Sequence, residues 1–470
     1  MARTPPFGPK SGPKLGPKGK PSARPPERPR AGPADRARGR DDHEPRRTPE
    51  APTVRAEPGV LVVNGYSERW LRQGFSWVYP AEVLAGTAPA GAEVRLRSAA
   101  GEDLGVAIAD DGWIRARRFR TTASPAGSPR GSIDAALLGA RLDNALQLRR
   151  SLNLCTAAST TTAWRWINGE NDDLPGIRVD VWGEHVVVSL DSPSLVGLLP
   201  ALASALRAAL PSVQSVHVGW RPDSRDGRVW PAAPGCVYGA APGVVAVRER
   251  GLEYLVEPAA RKDVGLFPDQ RENRTWLEPF YPQTRVLNLF CYTGAFSVHA
   301  LASGASEVVS VDLSRPYLDR LDENLRANGL GAPDSGGGAR SGTHERIEDD
   351  ALKVLDRFRR QGRVFDRIIL DPPGHSHSEA GDWSGEQDYA RLVAAAARVT
   401  APGGWIIASS NLGSVSPRQF QGAIVDGLRK ASCHGRVLHS GGQAADFPAA
   451  LHFPEGSFLK FVVMEVQRAE

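Results

Sequence analysis

The stretch that most constrains this chain is RVLNLFCYTGAFSVHALASGASEVVSVD, from Arg285 to Asp312. Val286 to Leu289 is a short, mostly apolar run, as expected of a strand buried on both faces. Thr293-Gly294 breaks the run, and Ala295 to Ala302 resumes it at helical spacing. Val308 to Val311 reads as a second buried strand with Asp312 at its end. Parallel strands joined by a right-handed crossover helix open a crevice beyond their carboxyl ends. A nucleoside fits such a crevice: backbone amides near Gly294 face its polar tail, and the Asp312 carboxylate accepts from ribose hydroxyls. Many nucleotide-binding doubly wound folds carry this pattern, so it limits the fold before it limits the chemistry.

A length of 470 residues, 41% of them hydrophobic, suggests two or three domains of roughly 150 residues each. No run of 18 apolar residues exists, so no membrane span and no membrane partner are expected. The N-terminus lacks the apolar stretch of a secretory signal. Cys155, Cys236, Cys291 and Cys433 are scattered without paired spacing, which suits neither a metal site nor a disulfide framework and implies a reducing cytoplasm. The net charge of +5 is unevenly spread. Residues 1–58 hold 14 Lys and Arg against 7 Asp and Glu, leaving 44 against 46 for the rest. The folded part must therefore bind any polyanion through a local patch.

Residues 1–58, rich in Pro, Arg, Lys and Gly, form a tail expected to be disordered: a solubilising segment or a non-specific RNA-binding arm. Residues 59–125 read as a small β-barrel, with strands at Val60–Val63, Glu93–Leu96, Leu104–Ile108 and Trp113–Phe119. Arg69, Trp70, Arg72, Phe75 and Trp77, together with Arg115, Arg117 and Arg118, interleave charge and aromatics in a way that suits RNA. The alternative is a tryptophan core under a solvated arginine face. After a linker (Ser124 to Ser132), residues 133–250 form a mixed α/β domain with a helix from Ala135 to Leu152, a hairpin around Gly183 and a helix from Leu199 to Leu210. Its acids Glu170, Asp172 and Asp173 read as a polar loop. Residues 251–470 form the third unit. Ser314 is placed as a helix N-cap, Gly329 to Gly342 as a surface loop, Phe365 to Leu370 as a strand, Gln387 to Val399 as a helix, Pro402-Gly403-Gly404 as a turn and Trp405 to Ser409 as a strand. Alternating strands and helices give a mostly parallel, doubly wound, Rossmann-like sheet.

Two cofactors compete for that crevice. A dinucleotide wants G-x-G-x-x-G, so that backbone can approach its pyrophosphate closely. Here Gly294 stands alone. S-adenosylmethionine has no pyrophosphate and needs only a few amides and polar side chains. FDRIILDPP (Phe365 to Pro373) ends a strand at the same crevice, and Pro372 and Pro373 fix the direction in which Asp371 meets a flat substrate. Together these favour methyl transfer over hydride transfer.

The chain resembles the class I methyltransferase family that methylates cytosine C5 of large-subunit ribosomal RNA and carries an N-terminal PUA domain. The resemblance spans residues 59–466 and rests on GENDDLPGIRVDVWG, GLFPDQRENR, NLFCYTGAFS, VVSVD, EDDA, FDRIILDPP, GQAADFP and FPEGSFLK. It implies a PUA-like barrel at 59–125 and an RNA substrate, ribosomal in kind, and it leaves a homodimer open. It also implies that Phe267, Asp269, Gln270 and Arg271 line the methionine side of the cofactor, beside Asn288, Tyr292, Thr293 and Gly294. Asp312 would hold the ribose. Asp349, Asp350 and Ala351 would flank the adenine, and Asp371 would lie beside methyl donor and target base. Arg271 and Arg274 also read as helix-start salt bridges.

The chain departs from the family where the chemistry is decided. Cytosine C5 methylation needs a thiolate to add at C6. The family carries that thiol in a Ser-Cys-Ser-like turn, and this chain reads Ser409-Ser410-Asn411-Leu412-Gly413. Cys291 and Cys433 read as structural. Phe447 stands where the family has histidine, and Lys262-Asp263 interrupts a His-Lys-Thr-Gly pattern. Attack by a base nitrogen or oxygen needs no adduct, only orientation and a proton acceptor. Asp371 and Asn411, with Pro372 and Pro373, are the catalytic candidates. His375 and His377 follow, as helpers or as a polar loop. Gly374 stands where amino-methylating enzymes present an aromatic. The leading expectation is an S-adenosylmethionine-dependent RNA methyltransferase. The alternatives are an assembly factor that binds cofactor and RNA without turnover, and a small-molecule enzyme.

Overall fold

The structure, a computed structural model, describes residues 56–121, 132–220, 235–260, 264–331, 342–378, 381–384 and 388–469. The basic tail up to residue 55, nearly all of the Ser124–Ser132 linker, Lys262-Asp263 and residues 332–341 of the glycine-rich loop lie outside the described residues.

The N-terminal sheet contains β1 (Val60–Val63), β2 (Trp77–Val78), β3 (Val83–Ala85), β4 (Glu93–Ser98), β5 (Asp103–Ala109) and β6 (Ala116–Arg120), with helix α1 (Gly65–Arg72) after β1. Its strand order is β2-β6-β5-β4-β1-β3. The last strand starts at Ala116, not at Trp113, because the Asp110 carboxylate accepts from the amides of Asp111 and Gly112 and turns the chain there. Three of the arginines expected to face RNA, Arg115, Arg117 and Arg118, are structural, while Arg69 and Arg72 are exposed. Arg117 pairs with Asp110 at 3.5 Å, both buried. Arg118, also buried, donates to the carbonyls of Leu104 and Phe75. Arg115 donates to those of Asp110 and Ala88. Trp77 is buried, and its indole donates to Glu170 at 2.6 Å.

The middle domain has α2 (Ala135–Ser151), β7 (Ala163–Asn168), β8 (Ile177–Trp182), β9 (His185–Leu190), α3 (Leu199–Ala209), β10 (Ser215–Trp220) and β11 (Gly235–Tyr238), in sheet order β11-β10-β9-β8-β7. Alternation puts Val179, Val181, Val186 and Val188 on the face packed against Leu138, Leu142 and Leu206 of the two helices. The acids read as a polar loop instead form a short 3-10 turn, Gly169–Asp172. Glu170 is buried there, and Asp172 binds Arg149 with both oxygens at 2.6 and 2.8 Å.

A hairpin, β12 (Val245–Glu249) and β13 (Leu252–Val256), straddles the boundary expected at 250/251. Its Val247, Tyr254 and Val256 share a core with the C-terminal sheet, so this unit begins earlier in space than its composition indicates. After α4 (Arg271–Leu277), strands and helices alternate: β14 (Arg285–Leu289), α5 (Ala295–Ala302), β15 (Glu307–Asp312), α6 (Arg315–Ala327), β16 (Thr343–Glu348), α7 (Ala351–Gln361) and β17 (Phe365–Leu370). A small hairpin, β18 (His375–Ser378) with β19 (Gly381–Ser384), then precedes α8 (Tyr389–Ala397), β20 (Thr400–Ser410), α9 (Pro417–Lys430), β21 (Cys433–Gly441) and β22 (Lys460–Arg468).

The order β16-β15-β14-β17-β20-β22-β21 is parallel from β16 to β20, and β22 runs against both of its neighbours. Helices cover both faces: α4, α5 and α6 pack on Val286, Val308 and Ile369, while α7, α8 and α9 pack on Leu287, Val309 and Leu370. The chain leaves β14 for opposite neighbours on its two sides, a switch point at which such sheets bind ligands. The expected turn at Pro402-Gly403-Gly404 is a bulge inside one long strand, with Gly403 at φ +71° and the register shifted between Phe365 and Arg367. His375, placed in a loop by sequence, starts β18. Among the described residues no helix is long and apolar enough to cross a membrane.

The turn after β14 is the tightest point. Phe290, Tyr292 and Gly294 all take positive φ (57°, 52° and 80°). A Cβ on Gly294 would lie 1.8 Å from Leu321 Cδ1 on α6. Gly294→Ala therefore combines backbone strain with overpacking. It is expected to lower unfolding stability by about 2–3 kcal/mol, read as a lower urea midpoint at unchanged slope.

Candidate active site

The carboxyl ends of β14, β15, β17 and β20 carry the candidate side chains. Asp312, last in β15, accepts from the amides of Tyr292 and Ser314, both at 2.9 Å. Ser314 stands at the N-cap position of α6, but its side chain makes no capping bond there; Asp312 accepts from its amide. Burial pushes the Asp312 carboxyl up. Beside it the exposed ring of Phe267 lies 5.2 Å from that of Tyr292, which meets Tyr317 at 4.6 Å. The Asp349 amide donates to the Asp312 carbonyl at 3.2 Å, bringing the end of β16 alongside. Asp350 caps α7 by accepting from Leu352 and Lys353, and Ala351 is buried behind it. Asp349 and Asp350 thus form the rim, with the Asp350 carboxylate spent on its helix.

Asp371 ends β17. Ser409 Oγ donates to one of its oxygens, and Gln270 Nε2 bridges Asp371 at 3.4 Å and Ser409 at 3.1 Å. Asn273 steadies Gln270 through a 2.7 Å bond. The Tyr389 hydroxyl ties Leu370 to Ser409 through their carbonyls, clamping the ends of β17 and β20 together. Burial pushes the Asp371 carboxyl up, against the bonds from Ser409 and Gln270. Asp269 is raised to about 6, by burial first and then by the charge on Asp371. Its Oδ1 is buried with no partner among the described residues. Pro372 is buried and Pro373 exposed. A Cβ on Gly374 would lie 2.5 Å from Leu412, so the Asn411–Gly413 loop occupies the place an aromatic would need. Asn411 is exposed on that loop. Lys460 Nζ donates to the Leu412 and Phe458 carbonyls and holds the loop, and burial lowers its ammonium to about 8.

Three expected cofactor residues stand behind the crevice. Asn288 is buried and donates to Ser297 Oγ at 2.9 Å. Thr293 is buried, with its hydroxyl donating to the Gly265 carbonyl at 2.5 Å. Arg271 turns away to the buried carboxylate of Asp446 and the Ala163 carbonyl. The salt-bridge alternative describes Arg271 and Arg274 better. Arg274 binds Glu249 with two bonds of 2.7 Å and the Phe267 carbonyl at 2.9 Å. Burial would raise the Glu249 carboxyl, but Arg274 and His299 hold it down at about 2. The side chains of His375 and His377 lie outside the described residues. Sequence reasoning missed Ser409, Lys460 and Asp446 as supports. The only signal for the last two was their place in FPEGSFLK and GQAADFP.

A crevice of about 950 Å³ opens from Asp269 and Asn411 toward the middle domain, where Arg165, Asp180 and Trp182 form its far wall. Two adjacent carboxylates, one without a partner, repel each other and favour a cationic ligand. Such a pair suits a ligand carrying positive charge: S-adenosylmethionine, with a sulphonium and an ammonium, would meet the orphaned Asp269 oxygen, and Asp312 would be placed to accept from its ribose.

A family model for S-adenosylmethionine-dependent methyltransferases matches residues 222–433. Ribosomal RNA large subunit methyltransferase I of Cronobacter sakazakii is 30% identical over 410 residues, covering 85% of this chain and 97% of that protein. Its counterpart from Erwinia tasmaniensis is 31% identical over 405 residues, covering 85% and 97%. The crystal structure of SMU.776, described as a methyltransferase complexed with SAH, aligns with TM-score 0.75 at 23% identity, over 86% of this chain and 99% of that one. The chain belongs to the ribosomal RNA large subunit methyltransferase I family. It is an S-adenosylmethionine-dependent methyltransferase with the α/β fold expected from sequence.

The raised Asp269 sets a pH signature. Its folded value of about 6 exceeds the ordinary 3.8, so the folded state holds the proton more tightly. Its contribution to stability is most favourable below about 4 and falls as pH rises toward about 6. Without cofactor, Asp269→Asn is expected to gain stability over the parent at pH 7.5 and to lose most of that advantage by pH 4.5, read by urea denaturation at both values.

Proposed function

We propose that this chain transfers a methyl group from S-adenosylmethionine to a nitrogen or oxygen of a ribosomal RNA base without a covalent enzyme adduct. The names of its full-length relatives support ribosomal RNA as the substrate. The observation that carries the chemistry is the Asp371 carboxylate, oriented by Ser409 and Gln270, with Asn411 on the loop that follows Ser409 and no cysteine in the stretch Ser409-Ser410-Asn411-Leu412-Gly413. Cys291 is buried in the turn with its thiol raised by burial, and Cys433 is buried facing the Ala431 carbonyl.

Phe267, Tyr292, Gly294 and Asp312 would hold the cofactor's nucleoside side, with Asp349, Asp350 and Ala351 at the adenine rim. Asp269 and Gln270 would meet its amino acid end. When bound, the cofactor supplies an electrophilic methyl on sulphur. Asp371 accepts a hydrogen bond from the target N–H or O–H and takes its proton, helped by a carboxyl raised above the ordinary range. Asn411 supplies a second hydrogen bond to the base, and Pro372-Pro373 fixes the approach. The N-terminal sheet, read as PUA-like, adds RNA grip. Four free cysteines suit a reducing cytoplasm.

Asp371→Ala is expected to reduce methyl incorporation into ribosomal RNA by about 10²–10⁴-fold while the protein still binds cofactor and RNA. The assay is label transfer to purified ribosomal RNA, followed by mass spectrometry of its nucleosides. A 5-methylcytidine product would overturn the adduct-free chemistry. Cofactor binding without incorporation into any RNA would favour the assembly-factor reading.

A further inference from the structure

The middle sheet has two faces of opposite character. One buries Trp164, Trp166, Val179, Val181, Val186 and Val188 against helices. The other carries Arg165, Arg178, Asp180, Trp182, Ser189 and Asp191, which line the crevice that runs to Asp269 and Asn411, while Trp182 and Val187 of this face also pack into the core shared with β12 and β13. Sheet register sets them in rows: Arg165 is opposite Asp180, and Arg178 is opposite Ser189, which is opposite Gly219. Gly219 leaves the row open beside Ser189, since a Cβ there would meet only Val187 at 3.8 Å.

The charges on this face cancel in pairs. Arg165 binds both oxygens of Asp180, at 2.5 and 3.1 Å. Arg178 binds Asp191 at 2.5 Å. A phosphate-binding surface needs cations whose charge is free to replace counterions. This face offers none of those four charges unpaired, and beyond residue 58 the whole chain carries slightly more acid than base. What it offers is a fixed pattern of donors and acceptors. Paired guanidinium groups keep N–H donors, and paired carboxylates keep lone pairs. The Trp182 indole N–H is buried with no partner among the described residues, a cost that a ligand acceptor would remove. Phe447, with the Arg165 guanidinium 4.5 Å from its ring centroid, and Phe453 give the same crevice aromatic walls. Donor and acceptor patterns beside aromatic rings are how unpaired bases are read.

We propose that this face reads the edges of unpaired RNA nucleotides next to the methylated base, with Trp182 and the Arg178–Asp191 pair as its specificity determinants. The proposal rests on the RNA methyltransferase reading above, and it predicts an unusual salt signature. Losing a base-edge contact weakens RNA binding without changing its salt dependence, whereas losing a phosphate contact flattens the salt slope by about one unit.

The test uses the full-length chain and a ribosomal RNA fragment that accepts methyl, or binds, with the parent protein. Trp182→Phe keeps the ring and removes the N–H. Arg178→Gln with Asp191→Asn removes the pair without leaving a lone charge. Each is expected to weaken RNA binding about fivefold to tenfold, with an unchanged slope of log affinity against log salt and unchanged cofactor affinity. Each is also expected to narrow the preference for that fragment over a scrambled single strand. A slope lowered by about one for the Arg178/Asp191 variant would make the face a phosphate site and overturn the proposal. So would parent-like affinity and preference in both variants. Repeating the binding series on Asp371→Ala protein scores nucleotide reading separately from turnover, so a failure of methyl transfer does not mask the result.

Discussion

The carboxylate of Asp446 holds the working parts of this protein together. It is fully buried, accepts the Arg165 amide at 2.8 Å and binds the Arg271 guanidinium. Its own backbone carbonyl accepts from Arg149 at 2.7 Å, and Arg149 holds Asp172. These residues come from the middle domain, from the entry to the C-terminal sheet and from a loop near the C-terminus. Burying such charges costs several kcal/mol per ion unless each is fully paired. The arrangement therefore tolerates one spacing between the two domains, and that spacing is the width of the crevice. The shared core of Ala163, Trp182 and Val187 with Val247 and Tyr254 fixes the same spacing by packing.

A second constraint acts inside the C-terminal sheet. Three positive φ angles within five residues cost of order 1–3 kcal/mol each outside glycine. They persist because neighbouring side chains over-determine the turn. Thr293 reaches the Gly265 carbonyl, and Asn324 on α6 donates to the Thr293 carbonyl at 2.9 Å while accepting from Leu255 on β13. The hairpin that straddles the expected domain boundary is thus part of the scaffold of the cofactor turn. Asn328 repeats the device one helical turn later, exchanging two bonds with Glu253.

Local periodicity made the C-terminal fold legible. β14, α5, β15 and β17 lie where the runs Val286–Leu289, Ala295–Ala302, Val308–Val311 and Phe365–Leu370 placed them, because buried parallel strands are apolar throughout. Asp312 and Asp371 were legible as acids at strand ends. What stayed hidden were partners distant in sequence. Nothing local to Arg117 and Arg118 reveals that Asp110, Leu104 and Phe75 receive them, so an arginine-rich strand reads as a basic surface. Arg271 read as a cofactor residue because its partner, Asp446, lies 175 residues away. The Gly403 bulge read as a turn, because glycine at positive φ serves both.

The same long-range pairing bears on the missing thiol. Serine becomes a nucleophile only when a base takes its proton. Ser409 donates its hydroxyl to Asp371, and a carboxylate is far too weak a base to strip a serine hydroxyl, so the bond orients Asp371 without making Ser409 a nucleophile. Ser410 is buried and its oxygen accepts from the Leu412 amide at 3.4 Å. Neither serine is free to attack a base. Both instead shape the loop that displays Asn411, which Lys460 holds from below. A side chain at Gly374 would have to displace Leu412, whose Cδ2 would lie 2.5 Å from its Cβ. Among the described residues, the mouth of the site is thus furnished with hydrogen-bonding groups of fixed direction and no thiol. That inventory suits a target atom with its own lone pair, for which orientation and removal of one proton are the whole of the enzyme's task.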